Sequence, residues 1–475
     1  MHTEYRKIRQ QLFAGETTLP ELVDHYLERI EANRDLNIYV EVYAAAARQR
    51  ATELQTQLKN GDAMGRLFGM VLSIKDNICH ANHGVTGGSK ILKGYVSPFS
   101  ATAVERLLAE GAIIIGRTNC DEFGMGSSTE KSTYGSTKNP LDPTRVAGGS
   151  SGGAAASVAA GTCLAALGTD TGGSVRQPAS FCGLVGLKPS YGRISRWGLL
   201  AYGSSFDQVG TLTRNVDDAA LLLQIMAGAD ELDATASQRP VANYTGFSIP
   251  ERRMRIAVLE NTFDGASIEP EIRAVNQDFF DELDTLGHEV KTVPFDLMEY
   301  LVPAYYVLTT AEASSNLSRY DGVRYGHRSA EARDINSLYK KSRTEGFGEE
   351  VKRRILLGTF VLSEGYYDAY YGRAQRVRRQ LSERLEALLE DFDFIMMPTS
   401  PVLPWHGGAY DQTDPTAMYL ADIFTVPASL AGLPCVSFPI GTDAASGLSV
   451  GMQLMGRNFG EEELLTFVRR IEAEI

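Results

Sequence analysis

Apolar residues recur at helical spacing through Leu22, Val23, Tyr26, Leu27 and Ile30, which marks one face of a 3.6-residue period. Thr18 and Glu21 stand ahead of them as a capping box, so a helix is predicted to begin there. A second helix is predicted from Val42 to Leu58, closing near Asn60-Gly61. The pattern then changes. FGMVLSI, Phe68–Ile74, is a short apolar run of strand type that delivers Lys75 at its C-terminal end. Ala103–Glu110 reads as a helix capped by Gly111, followed by a buried strand at Ala112–Ile115.

The alternation repeats downstream. Gly152–Ala160 reads as a small-residue helix closed by Gly161, and Cys163–Leu167 as a strand. RIAVL (Arg255–Leu259), a helix over Glu271–Leu286 and EVKTV (Glu289–Val293) form a strand–helix–strand unit. A long helix near Tyr366–Glu390 leads into FIMM, Phe394–Met397. Helices alternating with short apolar strands predict an α/β fold, its sheet covered by helices on both faces. Asp230–Gly246 and Thr399–Thr416 are polar or rich in Pro and Gly, but neither reads as a flexible tether. One domain over residues 1–475 is expected, with a lobe from about 252 to 300 as its one subdivision.

Composition narrows the class. Of 475 residues, 43% are hydrophobic and 22% charged, enough for a sizeable core. A formal charge of −13 argues against this chain alone gripping a phosphate backbone. Five scattered cysteines without a CxxC pair argue against disulfide or zinc frameworks and fit a reducing compartment. The first residues lack an apolar signal core, and no apolar run reaches the length of a membrane span, so a soluble cytoplasmic protein is expected.

The candidate chemistry lies in GGSSGG (Gly148–Gly153), in TDTGGSVRQPASFCG (Thr169–Gly183), and in Lys75 of SIKDN. Glycine-rich turns expose backbone N–H groups that suit a developing oxyanion, and each turn offers a hydroxyl nucleophile. Lys75 is flanked by Leu72, Ile74 and Ile78; burial would favour its neutral form and let it act as a base. GGSSGG also satisfies G-x-S-x-G around Ser150, but Pro140 and Pro143 stand where a nucleophile elbow needs a strand. An elbow and a structural turn both remain readings, and the glycines also suit a cis peptide before Ser150. The second turn fits an anion nest as well as an oxyanion hole. No GxxxxGK[ST] string is present, which assigns any ATP-dependent step to another polypeptide. None of the seven histidines lies in a glycine-rich turn beside an acid, and Cys79, His80 and His83 lack a fourth ligand at zinc-site spacing.

The Lys75…Ser150…Ser174 spacing resembles the amidase signature family, with KDNI, TNCDEFGMGSSTE, GGSSGG, GTDTGGSVRQPASFCGLVGLKPSYGRIS and SSFDQVG in order between Gly69 and Arg214. Within that family the chain is similar to the A-type components of aspartyl/glutamyl-tRNA amidotransferases. The narrower strings are MGSSTE, SRYDGVRYG, EEVKRRILLGTFVLSEGYYDAYY and DIFTVPASLAGLP. The resemblance implies a large mixed sheet, with Lys75 as base, Ser150 as relay on a cis peptide and Ser174 as nucleophile. It places the oxyanion on the N–H groups of Thr171, Gly172, Gly173 and Ser174. It gives glutamine's α-carboxylate to Arg354 (or its neighbour Arg353) and the α-amine to Asp422. Ser128 and a tyrosine of the pair Tyr305–Tyr306 complete the implied pocket. It further implies B-type and C-type partner subunits in a heterotrimer. It places ATP and Mg2+ on a partner, implies no cofactor on this chain, and has aminoacyl-tRNA met mainly through the partner. A stand-alone amidase acting on another amide is the alternative. Cys120 and Ala147 replace residues common in the family, and the C-terminus is slightly short; neither replacement removes a polar catalytic group.

Overall fold

In the computed structural model, which describes residues 4–248, 252–260, 262, 263, 268–409 and 419–474, one mixed sheet runs through the molecule. Its strands are β1 (Tyr39–Val42), β2 (Val71–Lys75), β3 (Ile113–Thr118), β4 (Ala165–Asp170), β5 (Val185–Lys188), β6 (Gln208–Thr213), β7 (Arg255–Leu259), β8 (Glu289–Val293), β9 (Phe394–Pro398), β10 (Cys435–Thr442) and β11 (Ser449–Met455). Their spatial order is β1-β3-β2-β4-β6-β5-β10-β11-β9-β7-β8. β2 runs parallel to both β3 and β4, and β7 runs parallel to β8 and β9. The β4–β6, β6–β5, β5–β10, β10–β11 and β11–β9 pairings are antiparallel.

Strand periodicity explains the unbroken apolar runs of β7 and β9. On β9, Phe394 and Met396 enter one hydrophobic core while Ile395 and Met397 enter another. On β7, Ile256 and Val258 divide from Ala257 and Leu259 in the same way. Alternate side chains point to opposite faces, so a sheet covered on both sides leaves no position for a polar stripe. The first core receives Leu22, Val23 and Tyr26 of the helix Leu19–Ala32 and Leu464, Phe467 and Val468 of the helix Glu461–Glu474. The second receives Leu301 and Leu308 of the helix Met298–Asn316 and Leu381, Leu385 and Leu389 of the helix Tyr371–Asp391.

Local signals set several element ends. The capping box at Thr18 forms, with Glu21 N–H on the Thr18 hydroxyl and the Glu21 carboxylate on Thr18 N–H. The second helix begins at Ala44, because Tyr39–Val42 pairs antiparallel with β3 as an edge strand. It ends at Asn60, with Gly61 left-handed at φ 82°. The strand expected over Cys163–Leu167 starts at Ala165 and runs on to Asp170, which brings it level with Lys75 at the end of β2. β7, the helix Pro270–Thr285 and β8 extend one edge of the common sheet through the β7–β9 pairing. The polar segment expected at Thr399–Thr416 lies partly outside the described residues.

Candidate active site

The carboxyl ends of parallel strands β2 and β4 lie side by side, the usual place for a ligand site in an α/β sheet. Lys75 ends β2 and is fully buried. Its Nζ donates to Ser150 Oγ at 2.7 Å and to Thr169 Oγ1 at 3.0 Å. Burial holds its pKa below the ordinary lysine value, against the opposing pull of Cys120, Asp121, Asp170 and Asp207. A buried lysine on two hydroxyls is a base in waiting.

Ser150 follows a cis Gly149–Ser150 peptide. The segment ahead of it contains only isolated bridges at Lys138–Val146 and Arg145–His406, so the strand that a nucleophile elbow requires is absent among the described residues. The helix Gly152–Ala159 does follow. Its turn is held on three sides. Gly149 N–H donates to Gln177 Oε1 at 2.9 Å, while Thr129 Oγ1 donates to Gly148 O at 2.8 Å and accepts Gly152 N–H at 3.0 Å. Asp121, itself buried, accepts the N–H groups of Thr129 at 2.8 Å and Lys131 at 3.0 Å.

The Ser174 turn is organised from beneath. Asp170 accepts Gly173 N–H at 2.8 Å and Val175 N–H at 3.2 Å, and pairs in bidentate fashion with the fully buried Arg176 at 3.0 Å. Burial pushes the Asp170 carboxyl up, but the guanidinium outweighs it and leaves the pKa below the ordinary value. Arg176 is held in turn by Gln453 at 2.8 Å and Ser429 at 3.1 Å. Removing one member of such a pair leaves a buried charge without its partner. Arg176→Met is therefore expected to cost about 3–5 kcal/mol of stability, measured by chemical denaturation.

Two residues press on the turn from above. A Cβ on Gly172 would lie 2.5 Å from the Tyr305 ring, and one on Gly173, at φ 130°, would lie 2.1 Å from Thr425 Oγ1. Only glycine fits either position. Ser151 N–H donates to Ser174 O at 3.1 Å, tying the two serine turns together. Because the Gly173 N–H is engaged by Asp170, the N–H groups of Thr171, Gly172 and Ser174 are the ones without an acceptor among the described residues. Ser174 is 9% exposed against 1% for Ser150 and 0% for Lys75, which makes it the member of the three open to a ligand.

Beside this turn, Arg354 is buried and Asp422 half-buried. Arg354, on the helix Glu349–Val361, donates from Nε to Glu350 at 2.8 Å and from Nη1 to the Tyr202 hydroxyl at 2.8 Å. Its guanidinium lies over the rings of Tyr202, Tyr306 and Tyr419. Arg353, with half its side chain exposed, pairs with Glu350 on the outside. Asp422 accepts the Ser127 hydroxyl, and burial raises its carboxyl to about 7. The Asp422 backbone carbonyl accepts Thr425 Oγ1, which also reaches Gly172 O at 2.5 Å. Tyr305 packs on Gly172 while Tyr306 faces Arg354 and stacks on Tyr419. The Ser128 hydroxyl accepts Glu130 N–H at 3.4 Å, so Ser127, its neighbour, is the serine that meets Asp422. His80 and His83 stack on each other and against Tyr43, away from these groups.

A buried lysine on a serine hydroxyl, beside a second serine in a glycine turn, is an acyl-transfer arrangement, and the family model for amidases matches residues 21–465. The chain belongs to the amidase family. It is 50% identical over 99% of its length, and 98% of the relative's, to the A component of the glutamyl-tRNA(Gln) amidotransferase of Chlorobium phaeobacteroides strain BS1. The protein of the same name from Chlorobium limicola is 51% identical, with 99% of each chain covered. Among solved structures, the A component of the glutamyl-tRNA(Gln) amidotransferase of Thermotoga maritima superposes with a TM-score of 0.77 at 40% identity, covering 96% of this chain and 90% of that one. A peptide amidase bound to chymostatin superposes at 0.79 with 26% identity, covering 98% and 96%. The α/β fold with its large mixed sheet is thus that of an amidase. Thr169, Asp170, Arg176, Gln177 and Asp121 hold this amidase site together, yet Thr169, Gln177 and Asp121 are not marked by sequence spacing alone.

Proposed function

We propose that this amidase is the glutaminase subunit of a tRNA-dependent amidotransferase. The observation that carries the reading is the pairing of two sites: a Lys75–Ser150 hydrogen bond beside the Ser174 turn, and a buried Arg354 with a half-buried Asp422 flanking it. A guanidinium matches a carboxylate and a carboxylate matches an ammonium, so the two charges suit the zwitterionic end of glutamine. Neutral Lys75 takes the Ser150 proton as Ser150 takes that of Ser174. Ser174 Oγ then bonds to the side-chain carboxamide carbon of glutamine. The oxyanion rests on the N–H groups of Thr171, Gly172 and Ser174. Collapse breaks the C–N bond, the proton returns through Ser150 to the leaving nitrogen, and ammonia departs. Water attacks the remaining glutamyl ester by the same relay and releases glutamate.

The ammonia serves partner subunits of the B and C type, where ATP and Mg2+ activate the glutamyl (or aspartyl) group on tRNA. The acidic chain, at −13, fits a protein that meets tRNA mainly through its partner. In this reading residues 1–475 act as one catalytic unit in a heterotrimer, in the cytoplasm.

Arg354 separates this reading from a free amidase. A site built for a charged substrate rejects analogues that leave its buried charges unpaired, by about 10⁴ where the missing contact is strong. Arg354→Ala is therefore expected to damage glutamine hydrolysis far more than hydrolysis of an uncharged aliphatic amide, in steady-state assays of each. Equal loss on both substrates would favour the stand-alone amidase.

A further inference from the structure

We propose that Asp207 is a positioning residue that couples the oxyanion turn to the arm holding Arg354, an inference that rests on the glutaminase reading above. Asp207 is buried immediately before β6, whose first residue Gln208 pairs with Asp170 at the end of β4. Its carboxylate faces three donors. Thr171 Oγ1 donates to Oδ1 at 2.6 Å, Gly203 N–H to Oδ1 at 3.2 Å and Tyr202 N–H to Oδ2 at 2.9 Å. An ionised carboxylate accepts only, so it satisfies all three. An amide of the same shape must turn an NH2 group against an N–H or a hydroxyl.

The two ends of this bridge are the two halves of the site. Thr171 supplies one of the unengaged N–H groups, and the bond from its hydroxyl fixes the residue that carries it. Tyr202 holds Arg354 through its hydroxyl, which also donates to Thr309 at 2.9 Å; Thr309 in turn donates to the Tyr305 carbonyl at 2.8 Å. Tyr305 closes the circuit by packing on Gly172. Glutamine must span from Arg354 at its α-carboxylate to Ser174 at its carboxamide. A misplacement of about 1 Å across such a span costs about 100-fold in rate, so the bridge that sets the span contributes to catalysis without touching substrate. Burial lifts the Asp207 carboxyl to about 6, which leaves it the acceptor-only anion at neutral pH.

Glutamine hydrolysis by the assembled amidotransferase tests this, with kcat and KM measured separately for wild type, Thr171→Val, Thr171→Ser, Tyr202→Phe and Asp207→Asn. Thr171→Val keeps the shape and loses the hydroxyl. It is expected to lower kcat about 10-fold or more while KM stays within about threefold. Thr171→Ser is expected to restore kcat. Tyr202→Phe is expected to act mainly on KM, and Asp207→Asn on both. A Thr171→Val enzyme with wild-type kcat, or a loss that Thr171→Ser fails to restore, overturns the inference while leaving the glutaminase reading intact. A wild-type complex that releases no ammonia from glutamine overturns the reading itself, and the inference falls with it.

Discussion

Ser174→Ala is expected to lower glutaminase turnover by about 10³-fold or more, because a nucleophile is lost and no covalent intermediate forms. The substitution removes one buried oxygen and leaves the turn's scaffold in place. Asp170 still takes the Gly173 and Val175 N–H groups, and Ser151 N–H still donates to the residue 174 carbonyl. The loss should therefore be chemical, with an unchanged thermal midpoint. Ser151→Ala is the informative control. Its hydroxyl donates to the Thr169 carbonyl at 3.2 Å and accepts Thr169 N–H at 3.3 Å, in a fully buried position. That variant should lose about 1–3 kcal/mol of stability through unsatisfied backbone groups and keep most of its turnover. Kinetics and melting thus separate the two variants in opposite senses.

Lys75→Arg is expected to be as inactive as Lys75→Ala. An arginine stays protonated, so it keeps the charge while losing the ability to accept a proton. The geometry sharpens this expectation. Lys75 Nζ sits between Ser150 Oγ and Thr169 Oγ1, and Asn77 Nδ2 also donates to Thr169 Oγ1 at 2.9 Å. A larger cation has no room there. The sign of the pH dependence follows from the same residue. Burial lowers the Lys75 pKa, so the reactive neutral form gains population as pH rises through that lowered value. Wild-type turnover should climb with pH and level off before the ordinary lysine value is reached. An arginine variant with near-wild-type turnover would rule out the lysine base.

The chemistry is legible in the sequence where it is local, and the supporting structure is not. Lys75, Ser150 and Ser174 each lie in a short string whose residue types announce close backbone approach or burial. β9 and β7 can be read because Phe394–Met397 and Ile256–Leu259 are unbroken apolar runs, as strands covered on both faces often are. β5 and β6, VGLK and QVGTLT, cannot: they are short, contain glycine and polar residues, and become strands through pairing with β10, β4 and each other. β1 merges into the following helix in the sequence pattern because Tyr39–Val42 is a half-exposed edge strand directly preceding an alanine run.

The same division holds within the site. The contact between Ser127 and Asp422 joins residues 295 apart, and that between Arg176 and Gln453 joins residues 277 apart. No spacing rule reaches that far. Asp170 and Arg176 do carry a signal, an acid and a base six residues apart on either side of the nucleophile. A charged pair flanking a glycine turn has to be paired if the turn is buried. Which of Arg353 and Arg354 points inward is undecidable from adjacent identical residues; helix phase places Arg354 on the buried side and leaves Arg353 half exposed. The resemblance names Ser128, whereas the course of the loop aims the hydroxyl of Ser127, its neighbour, at Asp422.

The most direct test of the central claim is to trap the acyl-enzyme with a slowly turned-over glutamine analogue and to locate the adduct by peptide mass spectrometry. The account predicts an ester on Ser174 that is absent from the Ser174→Ala variant. An adduct on Ser150 would contradict it and make the GGSSGG turn the nucleophile.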